Sequence, residues 1–263
     1  MKTYQSFSLL LLAIAILYAC SSQPEQDASS AEGASTDVNP AAEGFNIEGS
    51  DPEAIAIADE VMEAMGGRPA WDSARFISWN FFGFRSLLWD KQTGDVRIEV
   101  PRDSAIYLIN IHQDTGRVSL RGEEVTQPDS LAKYVEQGKK IWVNDSYWLV
   151  MPYKLKDSGV TLNYVGEDTT QTGEDADVLE LRFQGVGFTP QNKYQVYVTK
   201  DEKLIKQWAY YSEAALDTPN FITPWQGYQK YDGILLAGDR GERDLSDISV
   251  SDTAPADAFV LQP

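Results

Sequence analysis

From Arg75 onward the chain alternates. Val96, Ile98 and Val100 are separated by Arg97 and Glu99; Val118 and Leu120 flank Ser119; Leu179, Leu181 and Phe183 are separated by Glu180 and Arg182. Successive side chains of an extended strand point to opposite faces, so this period predicts strands with one apolar face. Gln92-Thr93-Gly94, Asp114-Thr115-Gly116, Gln171-Thr172-Gly173 and Lys200-Asp201-Glu202 punctuate the alternation as tight hairpin turns, with glycine supplying the positive φ that a hairpin bulge requires. The pattern therefore predicts an antiparallel sheet of ten or eleven strands. Two segments break it in an informative way. Phe76 to Phe84 sets Ile77, Trp79 and Phe81 against Phe76, Phe82 and Phe84, and Ala105 to Ile111 sets Tyr107, Ile109 and Ile111 against Ile106 and Leu108. A sheet with one wet face does not need apolar residues on both sides, so part of it is expected to be covered twice or to curl around a cavity.

Helical spacing occurs in two places. Ile55, Ala58, Val61, Met62 and Met65 follow Ser50-Asp51-Pro52-Glu53, which reads as a capping box with proline in the first turn, and Gly66-Gly67 closes the segment. Between Gln127 and Met151 a second helical signal interrupts the sheet. Thr126 and Asp129 are placed to cap a segment carrying Leu131, Tyr134 and Val135, and a further helix is expected over Asn144 to Met151, stopped by Pro152. On it Tyr147, Trp148 and Met151 share a face, which must lie against a large apolar surface or close a ligand cavity.

The N-terminus is of a different kind. Lys2 precedes an unbroken apolar run from Leu9 to Leu17, too short to span a bilayer as a helix, and Leu17-Tyr18-Ala19-Cys20 ends it. This resembles the lipobox of bacterial lipoproteins, which implies that residues 1–19 are a cleaved signal and that Cys20, the chain's single cysteine, carries acyl chains such as palmitate. Several such chains suffice for stable anchoring where one does not. Ser21 to Pro52 has seven acidic residues and no basic ones, so residues 20–52 are expected to form a lipidated, disordered tether reaching about 30 Å. Residues 53–263 would be the folded domain. Loss of Lys2 with the signal takes the net charge from −18 to −19, a surface that repels nucleic acid and anionic headgroups.

Catalytic chemistry has little to work with. His112 is the only histidine, expected at the sheet interior or edge, and no Gly-x-Ser-x-Gly elbow is present. A His/Cys zinc site cannot be assembled from this inventory. Asp114-Thr115-Gly116 spells an aspartic-protease triplet but occurs once, where two copies are required. Glu174-Asp175-Ala176-Asp177 lacks the glycine and distant glutamate of an EF-hand loop. No cofactor, metal or catalytic residue is implied.

Trp89-Asp90 with Thr93-Gly94; Trp142, Asn144, Asp145, Tyr147, Trp148, Pro152, Tyr153, Lys154, Leu155, Asp157, Gly159 and Val160; and Gly187 with Pro190 and Tyr194 carry a resemblance. Over roughly Glu53 to Pro263 the chain resembles the LolA/LolB-like lipoprotein-carrier superfamily of Gram-negative bacteria, and more closely a group of outer-membrane lipoproteins of the Bacteroidota. The resemblance implies a mainly β (α+β) fold: a long curved antiparallel sheet forming an incomplete barrel, lidded by an N-terminal helix and a mid-chain helical insertion, with an apolar cavity for acyl chains. It implies an envelope protein, lipid-anchored at the outer membrane, that binds a lipid or lipoprotein acyl chains without covalent chemistry. Trp79, Phe81, Trp89, Trp148, Met151 and Tyr153 would line or close the cavity, with Lys154 and Lys156 at its mouth to meet an anionic headgroup. Two rival readings stand beside it: an interaction module of the same fold with a filled core and an envelope protein as partner, and a hydrolase using paired carboxylates. The space beneath Trp148 discriminates among them, being empty and apolar in the first, packed in the second, wet and acidic in the third.

Overall fold

The computed structural model describes residues 38–261, so the signal segment and Cys20 lie outside the described residues. Three helices and fourteen strands follow one another: α1 (Pro52–Ala64), α2 (Arg68–Ser73), β1 (Phe76–Phe81), β2 (Arg85–Asp90), β3 (Asp95–Val100), β4 (Ala105–Asn110), β5 (Thr115–Leu120), β6 (Glu123–Glu124), α3 (Pro128–Val150), β7 (Val160–Thr169), β8 (Asp175–Phe183), β9 (Lys193–Thr199), β10 (Ile205–Tyr211), β11 (Phe221–Pro224), β12 (Gln226–Tyr231), β13 (Ile234–Asp239) and β14 (Leu245–Ser251). Every pairing is antiparallel, in a seven-stranded ladder β14-β1-β2-β3-β4-β5-β6, a five-stranded ladder β11-β10-β9-β8-β7 and the hairpin β12-β13. β13 lies beside β14, and the Trp225 N–H donates to Lys206 O at 2.8 Å, holding the bent β11–β12 strand to β10. The succession is open: β6 and β7 are its two ends and do not pair.

That topology dictates what α3 must do. Its chain enters from β6 and leaves to β7, the two outermost strands, so the connection has to cross the whole arch. Its 23 residues give a rod of about 35 Å at 1.5 Å per residue, long enough for the crossing. It packs on β3, β4, β5 and β13. Gly138 permits the close approach, since a Cβ there would sit 3.2 Å from Ile109 Cγ2 and Tyr107 Cδ1. The fold is thus the expected mainly β half-barrel with a helix across its concave side. Where two mid-chain helices were expected there is one, running into a 3-10 turn over Met151–Lys154 that contains Pro152.

Several local expectations are corrected. Phe76–Phe84 is not a single strand: β1 ends at Phe81, and Phe82 and Gly83 turn the chain at φ 55° and 74°. Of its second apolar row Phe76 lies in β1, and Phe82 and Phe84 belong to the turn. In the hairpin at residues 111–115 the positive φ falls on Asp114, while Gly116 lies within β5, where a Cβ would meet Leu108 O at 2.4 Å. His112 is exposed in that turn, its ring against Gly94. Neither expected cap forms by side chain: Asp51 and Gln127 are the N-cap positions, and Ser50 works elsewhere.

The part of the expected tether from residue 38 to 51 is built into the domain. Phe45 is buried in the core. The main chain follows the free edge of β7, with Ala42 N to Lys156 O at 2.9 Å, Asn46 N to Val160 O at 3.0 Å and Asp51 N to Leu162 O at 2.9 Å. Ser50 Oγ donates to Asn46 O at 2.7 Å and accepts from Leu162 N at 3.0 Å, while Asp51 accepts from Tyr164 N at 2.8 Å. An edge strand left bare invites pairing with another chain; here this segment covers it, and the opposite edge is the two-residue, acidic β6. Ser50→Ala is expected to cost about 1 kcal/mol, the worth of one buried hydrogen bond with its partner left unmet, read as a lowered urea midpoint with unchanged slope.

Candidate functional site

The C-terminal third of α3 lies in a chamber of aromatic rings. Trp148 is edge-on to Trp208 at 4.5 Å and to Phe82 at 5.2 Å, and stacks on Phe221 at 5.9 Å and 15°. Phe81 stands 6.4 Å away. Behind Trp148 the rings continue through Trp208–Tyr194 at 5.1 Å and Tyr194–Tyr147 at 5.5 Å, and on the other side through Trp208–Trp225 at 5.9 Å. Strand alternation accounts for part of this set. Trp208 and Tyr210, two apart on β10, share a face, and the registers Trp208↔Val196 and Tyr210↔Tyr194 carry that face onto β9.

The chamber is closed by polar contacts at two points. Asp145, fully buried on α3, receives Arg85 Nε at 2.7 Å and Nη2 at 2.8 Å, a bidentate bond from β2 to the helix. Burial raises the Asp145 carboxyl above the ordinary carboxylate value, more than Arg85 and Asn144 lower it. Arg240, between β13 and β14 and only 4% exposed, gives Nη2 to Trp148 O at 2.7 Å and to Ala237 O at 3.1 Å, and Nη1 to Asp239 O at 2.8 Å. Trp148 O is among the last carbonyls of α3, which have no partner within the helix, so a guanidinium there both satisfies one and complements the negative end of the helix dipole. Its plane lies 3.6 Å from the Trp225 ring centroid.

The expected site residues fall into three groups. Phe81 and Trp148 meet in the chamber. Trp79 and Met151 are sealed in the core at 1% and 0% exposure. Trp89, Tyr153, Lys154 and Lys156 lie toward α1 and α2. There Tyr153 stacks on Trp71 at 4.3 Å and Trp71 approaches Trp89 at 6.5 Å; Lys156 binds Asp59 at 2.7 Å and Lys154 pairs with Asp157. The two lysines clamp the turn after α3 in ion pairs and do not stand beside Trp148. Tyr147 was placed on the face of Trp148 and Asp145 and Tyr194 entered only through the resemblance, whereas Arg85, Trp208, Phe221, Trp225 and Arg240 were missed. Of those missed, Trp208 had a readable signal, its alternation with Tyr210 in β10.

Antiparallel alternation also fixes which loops share an end of the half-barrel. The connections β8–β9, β10–β11 and β13–β14 lie at one end; because Phe81 pairs with Leu245, the β1–β2 turn joins them. This end carries Phe84 at 52%, Phe188 at 43%, Phe221 at 39%, Ile222 at 38% and Leu216 at 37% exposure, five of the nine large apolar side chains exposed among the described residues. The turns at the other end are polar: Lys91-Gln92-Thr93-Gly94, His112-Gln113-Asp114, Gln171-Thr172-Gly173 and Lys200-Asp201-Glu202. Isolated exposed apolar residues are ordinary; their concentration at one end, with Phe221 against Trp148, is not.

A surface cleft of about 310 Å³ lies elsewhere, between β2–β3 and the C-terminal segment at Pro255–Ala258. Arg97 Nη1 holds that segment through Ala258 O at 3.1 Å and Val260 O at 3.3 Å. Among the described residues no group of three or more His, Cys, Asp or Glu side chains is placed to hold a metal ion, and no helix is long and apolar enough to cross a membrane.

No family model and no curated protein matches the chain. Among solved structures it is similar to a DUF1329 family protein from Desulfovibrio piger, with 18% identity, 81% of this chain and 100% of that chain covered, and a TM-score of 0.46. A putative outer membrane lipoprotein-sorting protein domain from Vibrio parahaemolyticus is 10% identical over 79% of this chain and 96% of its own, with a TM-score of 0.43. A LolA superfamily protein from Nitrosomonas europaea is 12% identical over 76% of this chain and 94% of its own, with a TM-score of 0.36.

Proposed function

We propose that the chain binds a hydrophobic ligand, a lipid or the acyl chains of a lipoprotein, non-covalently on the concave side of the half-barrel, with Trp148 as the closing side chain. The observation that carries this is the polarised rim: five of the nine large apolar side chains exposed among the described residues gather at one end, and one of them, Phe221, stacks on Trp148 at the edge of the aromatic cluster. A hydrocarbon chain moving from water to that chamber gains about 25 cal/mol per Å² buried, and the rim gives it an apolar path in. Cys20 would hold the domain to the outer membrane of a bacterial envelope, with the residues between it and Val38 as the spacer.

The packing beneath Trp148 favours a second reading. Trp148 rests directly on Trp208 and Phe82, as in a module with a filled core whose rim docks an envelope protein. The first reading then requires these rings to part for the ligand, and one experiment separates the two. The full-length chain bearing Cys20→Ser, free of its own acyl chains, is purified and titrated with N-phenyl-1-naphthylamine, and its organic extract is examined by mass spectrometry. Saturable probe binding and a co-purifying lipid, both lost in Trp148→Asp while the far-ultraviolet circular dichroism is kept, are expected. Absence of both from the folded Cys20→Ser chain overturns ligand binding in favour of the docking module.

A further inference from the structure

The chamber holds more donors than the protein uses. Seven buried side-chain N or O atoms among the described residues are without a hydrogen-bond partner within the protein: Tyr147 Oη, Trp208 Nε1, Trp225 Nε1 and Arg240 Nε in the chamber, and the indole nitrogens of Trp79, Trp89 and Trp142 elsewhere. A buried polar group with no partner costs the free energy of its lost hydration, so such groups are rare unless something outside the chain meets them. Three of the four in the chamber, Arg240, Trp225 and Trp208, are adjacent. The guanidinium of Arg240 covers the ring of Trp225, and the rings of Trp225 and Trp208 are 5.9 Å apart. All three are N–H donors, so the missing partner is an acceptor.

We propose that Arg240, Trp225 and Trp208 form a polar subsite for a carboxylate, and that the ligand is an anionic single-chain amphiphile whose hydrocarbon lies along the aromatic wall. The charge of Arg240 selects an anion over a neutral acceptor. Its protein contacts are three main-chain carbonyls and a ring face, and no carboxylate among the described residues forms an ion pair with it. Asp239 and Asp244 act on its charge without forming an ion pair, and burial outweighs them. Burial pushes the guanidinium down to about 9, which leaves it charged at neutral pH, and a carboxylate beside it would offset that burial. Nη1 and Nη2 are engaged, so Nε offers one charge-assisted bond, with the indole donors beside it. Trp148 lies over the subsite through its own carbonyl, so a headgroup bound there reads out the position of the closing side chain.

This rests on the proposed function, and its test is arranged to fail separately. The Cys20→Ser chain is titrated with cis-parinaric acid and with its methyl ester, which have the same hydrocarbon and differ in charge. The acid is expected to bind at least about tenfold more tightly, the scale of one hydrogen bond to a charged group. In Arg240→Gln the acid-to-ester ratio should fall to about one. Trp225→Phe, which keeps the ring and removes one donor, should lower the ratio about threefold, and it carries the test if Arg240→Gln does not fold. Equal affinity of the Cys20→Ser chain for acid and ester, or an unchanged ratio in both variants, overturns the carboxylate subsite and leaves ligand binding standing. Binding of neither probe overturns both.

Discussion

Tyr153→Ala is expected to lower stability by about 4 kcal/mol, within the range for removing a buried aromatic ring, and Tyr153→Phe by about 1–2 kcal/mol. The difference follows from what the side chain joins. Its ring stacks on Trp71 at 4.3 Å and 9°. Its hydroxyl lies 2.8 Å from Met65 O and 2.9 Å from Leu235 O, and accepts from Leu235 N at 3.1 Å. Met65 closes α1 and Leu235 opens β13, so one hydroxyl ties the turn after α3 to both. Nearby, Gly66 has φ 111°, and a Cβ on it would meet Gly233 O at 2.2 Å; the junction has no slack to fill a void. Phenylalanine keeps the stack and loses the hydroxyl's bonds to Met65 O and Leu235 O, while the Leu235 amide keeps Met65 O at 3.0 Å; alanine loses the stack as well. Urea unfolding of the two variants measures the split. A Tyr153→Phe penalty equal to that of alanine would place the energy in the hydroxyl rather than the ring.

Much of this architecture is legible in the sequence because strand alternation is imposed by burial. Val96, Ile98, Leu179 and Leu181 face the core at 0% exposure; Arg97 and Glu99 between and beside the first pair reach water, while Glu180 on the opposite face is buried against Arg182 and Lys193. The segment 38–51 was illegible for a physical reason. Its order comes from main-chain bonds to the edge of β7, which leave no side-chain pattern, while its acidic, alanine- and glycine-rich composition reads as a chain unable to fold. The continuity of α3 is hidden similarly, since Gly138 weakens a helical reading but is what lets the helix approach Tyr107 and Ile109. Trp148 could be found from the density of aromatic residues around it. Arg240 could not: Asp239-Arg240-Gly241-Glu242-Arg243-Asp244 has the composition of a solvated turn, and only the return of β14 beside β1 brings it beneath the helix.

The two buried aspartates of β2 and α3 should respond to acid in opposite directions. Asp90 is buried, which raises its carboxyl, but Arg75 with the Thr93 and Gln92 amides outweighs burial and leaves it below the usual value. Asp145 is buried more completely, and there burial outweighs Arg85 and Asn144, leaving it raised. A lowered folded value means that the unfolded chain takes up the proton first. Asp90 thus contributes stability above the ordinary carboxylate range, which is lost as pH falls through its folded value. A raised folded value means that the native state takes up the proton first, so acidification from neutrality toward about pH 4 adds stability through Asp145. The penalty of Asp90→Asn is therefore expected to shrink between pH 7 and about pH 4, while that of Asp145→Asn grows. Asp145→Ala, which leaves Arg85 with neither charge nor acceptor opposite it, should cost about 3 kcal/mol at neutral pH, moderated because the Arg85 side chain keeps 23% of its surface in water. Paired urea titrations at the two pH values measure both slopes. An Asp145→Asn penalty that shrinks with acid would mean that attraction to Arg85, not burial, governs that carboxyl. The bond from β2 to the helix would then be a net source of stability at neutral pH, and the end of α3 would be held more firmly over the chamber than its burial implies.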